Sequence, residues 1–344
     1  MSIGKTLAFS LLSSGGVFRL GRALCRRSLI VLTYHRVIAK TPYDTRPSSS
    51  VFSCEFEEQI EYLVRRYHIA KGEEVRSLIC EGGSLPSNSV LITFDDGYEN
   101  NYTRAFPVLQ RYGATATFFL TTGLIGRAQA SLWFDDLDSL LSTNSIRPVI
   151  ERLKALGLPA GVENERGVRK WIKGLSRQPR ENAIETLKKC LGYAYPTNTA
   201  EITDLMTWEQ IREMSNAGMT FGSHTDSHQI LASGTPEEME HELLHSRLKI
   251  ESETGRPCWA FAYPNGESGD FDGSHKVALK AAGYACAFTQ IPGFVDASTE
   301  HYALPRIPIP DSGDIRVFAS RVSGVHQWWQ NRISSSEQQP QPRY

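Results

Sequence analysis

Val90-Leu91-Ile92-Thr93-Phe94 is an apolar run closed at once by Asp95-Asp96-Gly97-Tyr98. A short run of this kind is a buried strand, and two carboxylates at its C-terminal end stand where α/β sheets and barrels place their chemistry. Gly97 suits a sharp exit from the strand.

The neighbouring segments repeat one grammar. Leu29 to His35 is a first branched, apolar strand, and Glu55 to Tyr67 is a helix with Phe56, Ile60, Leu63 and Val64 at helical spacing and Ser53 as its cap. After the Val90–Phe94 strand come a helix from Asn101 to Tyr112, stopped by Gly113, and a strand from Ala114 to Leu120. Strand, helix, strand is the pattern of a parallel sheet.

Farther on, Thr207 with Gln210 makes a capping box over a helix to Ala217, and Met219 to Gly222 is a short strand that delivers Ser223-His224. A second box at Thr235 opens a long helix ending near Glu253, with Gly255 as its stop. Cys258 to Ala262 is a strand, Lys276 to Ala282 a helix closed by Gly283, and Tyr284 to Thr289 a strand. About seven such units predict an α/β fold, a closed or nearly closed barrel rather than an open sheet.

The repeat is interrupted from about Arg127 to Asp204, where charged helical segments such as Pro148 to Leu156 and Arg180 to Leu191 replace strands. This stretch is expected to be a helical insertion. Its acidic pair, Asp135-Asp136, follows Trp133-Phe134 and precedes leucines at helical spacing, which favours dipole-complementing acids in a helix's first turn over catalysis. The expected organisation is therefore a basic segment over 1–28, a barrel over 29–325 carrying the insertion, and a polar tail over 326–344, too rich in Ser, Gln and Pro to pack.

Composition limits the partners. With 344 residues, 40% of them hydrophobic and a net charge of −1, the chain buries a full core and has no global field to draw nucleic acid. Six dispersed cysteines form no CxxC pair and are expected as reduced thiols, with Cys258 and Cys286 behaving as small core hydrophobes. The N-terminus is a poor signal peptide, because Ser13-Ser14-Gly15-Gly16 breaks its apolar stretch and Arg19, Arg22, Arg26 and Arg27 follow. An amphipathic basic helix in weak contact with a membrane surface fits it better, and no run has the length of a membrane span. A cytoplasmic or peripheral inner-membrane location is expected ahead of secretion.

The chemistry lies in Asp95-Asp96 and a distant partner, Ser223-His224-Thr225-Asp226-Ser227-His228. A helical turn or tight loop brings His224 and His228 to one side, and with one carboxylate they form a two-His, one-carboxylate set that leaves positions open, as a catalytic Zn²⁺ site requires. Adjacent carboxylates on extended backbone point opposite ways, so one binds metal while the other acts as base. A metal-held water beside a carboxylate implies hydrolysis of an amide or ester.

These two segments resemble the first two motifs of the polysaccharide deacetylases, the NodB homology domain family of carbohydrate esterases. The resemblance spans roughly residues 29 to 320. It implies a distorted (β/α) barrel that removes N-acetyl groups from amino-sugar glycans, with Asp95 as general base and Asp96, His224 and His228 as ligands of a metal, usually zinc. Leu32-Thr33-Tyr34-His35-Arg36-Val37 and Phe261-Ala262-Tyr263-Pro264-Asn265-Gly266 are similar to segments of members that deacetylate poly-N-acetylglucosamine and of exopolysaccharide-cluster relatives.

The chain departs from the family pattern in two places. The arginine that family members carry two residues before the proline of the third motif is Ala262 here, and the late Leu-His motif that supplies a general acid is missing. Arg306 is the candidate partner for Asp95, the alternative being an ordinary surface arginine. His35, at the end of the first strand, is the candidate acid, the alternative being a bond to a neighbouring loop; His301 and His326 lack the context. The backbone N–H of Asn265 is the expected oxyanion donor. Tyr98, Tyr263 and Pro264, with Trp133 nearby, are the expected sugar contacts, and Gly266 is expected to admit substrate closely. Two other readings share this constellation: a carbohydrate-binding protein that has lost turnover, and an amidase or esterase for a small non-sugar substrate.

Overall fold

The computed structural model describes residues 15–40, 46–128, 130–193, 200–310 and 312–326. Ten strands are present among them: β1 (Ile30–Tyr34), β2 (Arg36–Ile38), β3 (Ser50–Phe52), β4 (His68–Ile69), β5 (Ser89–Phe94), β6 (Thr117–Leu120), β7 (Thr220–Ser223), β8 (Ala260–Ala262), β9 (Cys286–Phe288) and β10 (Ile307–Pro308). Seven of them pair in parallel in the order β10-β1-β5-β6-β7-β8-β9. Leu304, just ahead of β10, exchanges main-chain hydrogen bonds with Ala287 and Thr289 at the far edge, so the sheet curls into a nearly closed barrel.

The two-residue period of the strands sorts their side chains into two cores. Val31, Leu91, Phe119, Ala260, Ala262 and Phe288 share one hydrophobic cluster. Their sequence neighbours Leu32, Ile92, Phe118 and Phe261 join another, together with Phe56, Ile60, Leu109, Ile211 and Leu243 from the surrounding helices. Every residue of β5 is buried, as its unbroken apolar character demands.

The expected helices form with some shifted ends. Thr207 and Thr235 close their capping boxes, each hydroxyl accepting the N–H three residues on at 3.2 Å, and Gly255 takes a left-handed φ of 65°. Ser53 is not the cap of its helix; the Glu55 carboxylate accepts the Phe52 N–H instead, and the Ser53 hydroxyl donates to the Ile38 carbonyl. The helix expected from Asn101 opens as a wide π turn over Asn101–Ala105 and becomes α-helical at Phe106–Arg111. There the Asn101 amide is drawn to the His35 carbonyl at 2.7 Å, tying this turn to the end of β1.

Four helices, Trp133–Thr143, Ile146–Lys154, Glu165–Lys173 and Arg177–Leu191, fill the expected insertion. They bury Leu137, Leu140, Leu153, Val168, Ile172 and Leu187 in a third cluster of their own. Before β1, the helix Gly15–Leu24 leaves Leu20 and Leu24 exposed. No helix among the described residues is long and apolar enough to cross a membrane. The expected polar tail lies almost wholly outside the described residues, as do residues 1–14 of the basic segment.

Candidate active site

The C-terminal ends of β1, β5, β7, β8 and β9 converge on one cleft of about 680 Å³, lined by His35, Asp95, Asp96, His224, His228, Asn265 and Gln290. Asp95 follows directly on β5, its N–H donating to the Tyr34 carbonyl at 3.0 Å. Asp96 then turns into the left-handed region at φ 75°, and Gly97 continues it at φ 86°. A Cβ on Gly97 would lie 3.0 Å from Ile125 and 3.1 Å from Leu120, so the turn needs glycine for space as well as for conformation. This reversal is what sends the two carboxylates to different partners.

The histidines arrive on a tight loop rather than a helix. Thr225 and His228 adopt left-handed φ values of 67° and 56°. The buried Glu242 carboxylate clamps the loop, accepting the N–H groups of Asp226 and Ser227 at 2.7 and 2.9 Å and the Ser227 hydroxyl at 2.6 Å. His224 Nδ1 is fixed by the Ala262 carbonyl at 2.8 Å, which turns Nε2 toward Asp96. His228 is held from the insertion: the Trp133 indole N–H donates to its carbonyl, and the Phe134 ring meets its imidazole edge-on at 4.9 Å.

Asp96 Oδ1 lies 3.5 Å from His224 Nε2 and 3.4 Å from His228 Nε2. It is buried and has no hydrogen-bond partner, a costly state for a carboxylate oxygen. Tetrahedral metal bonds of about 2.1 Å put neighbouring ligand atoms roughly 3.4 Å apart. The spacing, the orphaned oxygen and the N/O donor set therefore fit a divalent cation with an open position.

Asp95 is held by different groups. Arg306 clasps it in a fork, with one guanidinium N–H donating to Oδ1 and another to Oδ2, both at 2.7 Å. The guanidinium is itself fixed by Nε donating to the Thr289 carbonyl at 2.8 Å and by a contact of 3.2 Å to the Thr93 hydroxyl. Gln290 adds a third donor to Asp95, at 3.1 Å. Burial pushes the carboxyl up, but Arg306, assisted by His224 and His35, outweighs it and holds Asp95 below the ordinary carboxylate value.

His35 Nε2 stands 4.0 Å from Asp95 Oδ2, with 24% of the side chain exposed. Enclosure lowers its pKa, against the opposing pull of Asp96 and Asp95. Asn265 lines the cleft at a left-handed φ of 66°, and its main-chain N–H meets no acceptor among the described residues.

The expected sugar contacts need correction. Tyr98 is wholly buried, its hydroxyl donating to Asp135 at 2.8 Å and accepting from Arg36, whose guanidinium also pairs with Asp135. Tyr263 is buried as well, stacked on Phe271 with centroids 4.1 Å apart and donating to the Tyr302 carbonyl. Pro264 is buried and only shapes the turn, its carbonyl accepting from Gly266 at 2.8 Å. Gly266 leaves room for protein rather than for sugar, since a Cβ there would lie 2.9 Å from the Gln290 nitrogen. The aromatic rings that line the cleft are Trp133 and Phe134.

Asp135 and Asp136 do occupy a helix's first turn, yet both also have specific partners. Asp136 accepts from Ser131 and Tyr193 and pairs with Lys188 at 2.8 Å. Asp135, pushed up to about 6 by burial against the pull of Arg36, ties the insertion to the barrel. Gln290 and Glu242 carried no motif that marked them in the sequence, and Arg36 lay in a family-like segment that gave it no role.

The polysaccharide deacetylase family matches residues 82–287, and the chain belongs to this family. It is a hydrolase of the deacetylase class. It is similar to the Bacillus subtilis protein YxkH, with 23% identity over 301 residues, 86% of this chain and 77% of that one. It also resembles the poly-beta-1,6-N-acetyl-D-glucosamine N-deacetylase of Staphylococcus epidermidis, 38% identical over 113 residues that make up 29% of this chain and 38% of that enzyme. Among solved structures, the Streptococcus pyogenes deacetylase PplD shares the fold with a TM-score of 0.58 at 20% identity, over 86% of this chain and 98% of that one.

Proposed function

We propose that this protein is a divalent-metal-dependent N-deacetylase that removes acetyl groups from an amino-sugar glycan. The observation that carries this reading is the orphaned Asp96 Oδ1 facing two imidazoles at 3.5 and 3.4 Å, beside a second carboxylate held apart by an arginine. Asp96, His224 and His228 would hold the cation, zinc by the nature of the donor set; when bound, it polarises the acetamido carbonyl and makes water acidic.

The remaining steps belong to the chain. Asp95, kept ionised by Arg306 and oriented by Gln290, takes the proton of the attacking water. The Asn265 N–H, free to donate, steadies the negative charge that gathers on the carbonyl oxygen. His35 passes a proton to the sugar nitrogen as the carbon–nitrogen bond breaks, leaving acetate and a free amine. Trp133 and Phe134 offer ring faces to the sugar. The similarity to an N-acetylglucosamine polymer deacetylase supports a glycan as substrate.

Acetate release from chitooligosaccharides and poly-N-acetylglucosamine, with and without chelator and beside Asp95→Asn, tests the proposal. Zinc-loaded wild type that frees no acetate from any acetamido glycan would sink it. A cytoplasmic or inner-membrane-surface location is part of the same reading, supported by exposed Leu20 and Leu24 beside Arg19 and Arg22. Sedimentation of the protein with anionic vesicles checks that contact.

A further inference from the structure

The insertion forms one wall of the cleft, and that wall is basic. Helix Glu165–Lys173 buries Val168 and Ile172 among the insertion's own apolar residues. Arg166, Arg169, Lys170 and Lys173 stand at i, i+3, i+4 and i+7 along it and line the same cleft as Asp95, Asp96 and the two histidines.

These four cations are unequally matched. Arg169 pairs with Asp138 and, at 3.9 Å, with Glu165, and Lys173 pairs with Asp270 at 3.1 Å and Glu267 at 3.4 Å. Arg166 and Lys170 are exposed and have no acidic partner among the described residues. Deeper in the cleft Asp95 is already neutralised by Arg306, and Asp96 faces the metal position. The mouth therefore carries two exposed cations, Arg166 and Lys170, that no carboxylate among the described residues engages.

A neutral acetamido polymer offers those charges only hydroxyl and carbonyl acceptors and no counter-charge. A carboxylate or phosphate oxygen meets both, the arginine fork binding it in two places and the ammonium as a point charge. Building on the deacetylase reading, we propose that the substrate is an anionic glycan, bearing a carboxylate or phosphodiester within a sugar or two of the acetamido group.

Binding to zinc-loaded Asp95→Asn protein, measured by titration calorimetry, tests this without requiring turnover. Three glycans serve: N-acetylchitotetraose, a hyaluronan tetrasaccharide for the carboxylate, and an N-acetylglucosaminylated glycerol phosphate oligomer for the phosphodiester. At least one charged glycan should bind roughly tenfold tighter than the neutral one at low salt, the size expected from one or two charge-assisted contacts. The ratio should shrink as salt rises, collapse in Arg166→Glu/Lys170→Glu and survive in Arg166→Lys/Lys170→Arg. Equal affinities, absent binding of both charged glycans, or a ratio untouched by charge reversal would overturn the proposal. Acetate release by wild type is scored separately, so a charge-blind deacetylase and a charge-selective protein without turnover give different results.

Discussion

Arg306 and Asp95 are 211 positions apart in the chain, yet they meet as a buried two-point ion pair at the centre of the cleft. The fork fills both carboxylate oxygens with donors and leaves Asp95 no freedom to rotate. It also supplies the cation that Ala262 does not.

Replacing Arg306 with methionine strands a buried carboxylate, and the protein should lose about 3–5 kcal/mol of stability. Acetate release should fall at least ~10²-fold through misplacement of the base. Arg306→Lys keeps the charge but not the fork and should fall between. Denaturant melts of Arg306→Met alone and with Asp95→Asn check the pairing, since the double variant should lose less than the sum of the two.

Zinc should stabilise the fold through Asp96, His224 and His228. At a hundredfold excess over the dissociation constant the gain is about 2.7 kcal/mol. Scanning calorimetry of chelated and zinc-loaded protein should show that rise in wild type and not in Asp96→Ala. Equal rises in both would place the metal elsewhere.

His35→Ala should lower kcat by about 10²–10⁴ without changing zinc stoichiometry. Unchanged turnover would remove His35 as proton donor and return it to a packing role at the end of β1.

Arg36→Met should loosen the insertion before the barrel, because it leaves Asp135 buried without its cation. Hydrogen exchange should quicken across residues 133–193 while β5 and β6 stay protected. Uniform exchange over the whole chain would show that the Arg36–Asp135 pair does not anchor the insertion.

Asp272 caps the helix Gly273–Ala281, accepting from Ser274 and His275, and these bonds bring its carboxyl down to about 2 from an ordinary 3.8. A depressed value means that its contribution is complete above 3.8 and drains away as pH falls toward 2. Melting temperatures of wild type and Asp272→Ala should therefore differ at pH 5 and converge near pH 2. A gap that persists at pH 2 would assign the effect to something other than the ionised cap.

The fold was legible because its signals are local. Unbroken apolar runs gave β1, β5 and β6, and the Thr207 and Thr235 boxes fixed two helix starts within the residues that form them. The two-residue strands β4 and β10 are too short to carry a period and were not foreseen. The clustering of Asp96 with His224 and His228 was legible because the three lie in two compact motifs.

What escaped depends on distant partners. Tyr98 adjoins the acidic pair in sequence, but its environment is set by Asp135, 37 residues on, and by Arg36, 62 residues back. Gln290 and Glu242 act on the site through contacts that no neighbouring residue foretells. The cleft-facing role of Arg166 and Lys170 depends on where the insertion folds back, and periodicity within a helix does not encode that.

The delivery of Arg306 by the chain just ahead of β10 also orders events during synthesis. Asp95, Asp96, His224 and His228 all precede Arg306 along the chain, so synthesis supplies the Asp96–His224–His228 cluster before the counter-charge of Asp95. On the proposed mechanism, hydrolytic competence waits until the last strand docks beside the first. Turnover would then report a finished barrel, which metal uptake alone would not.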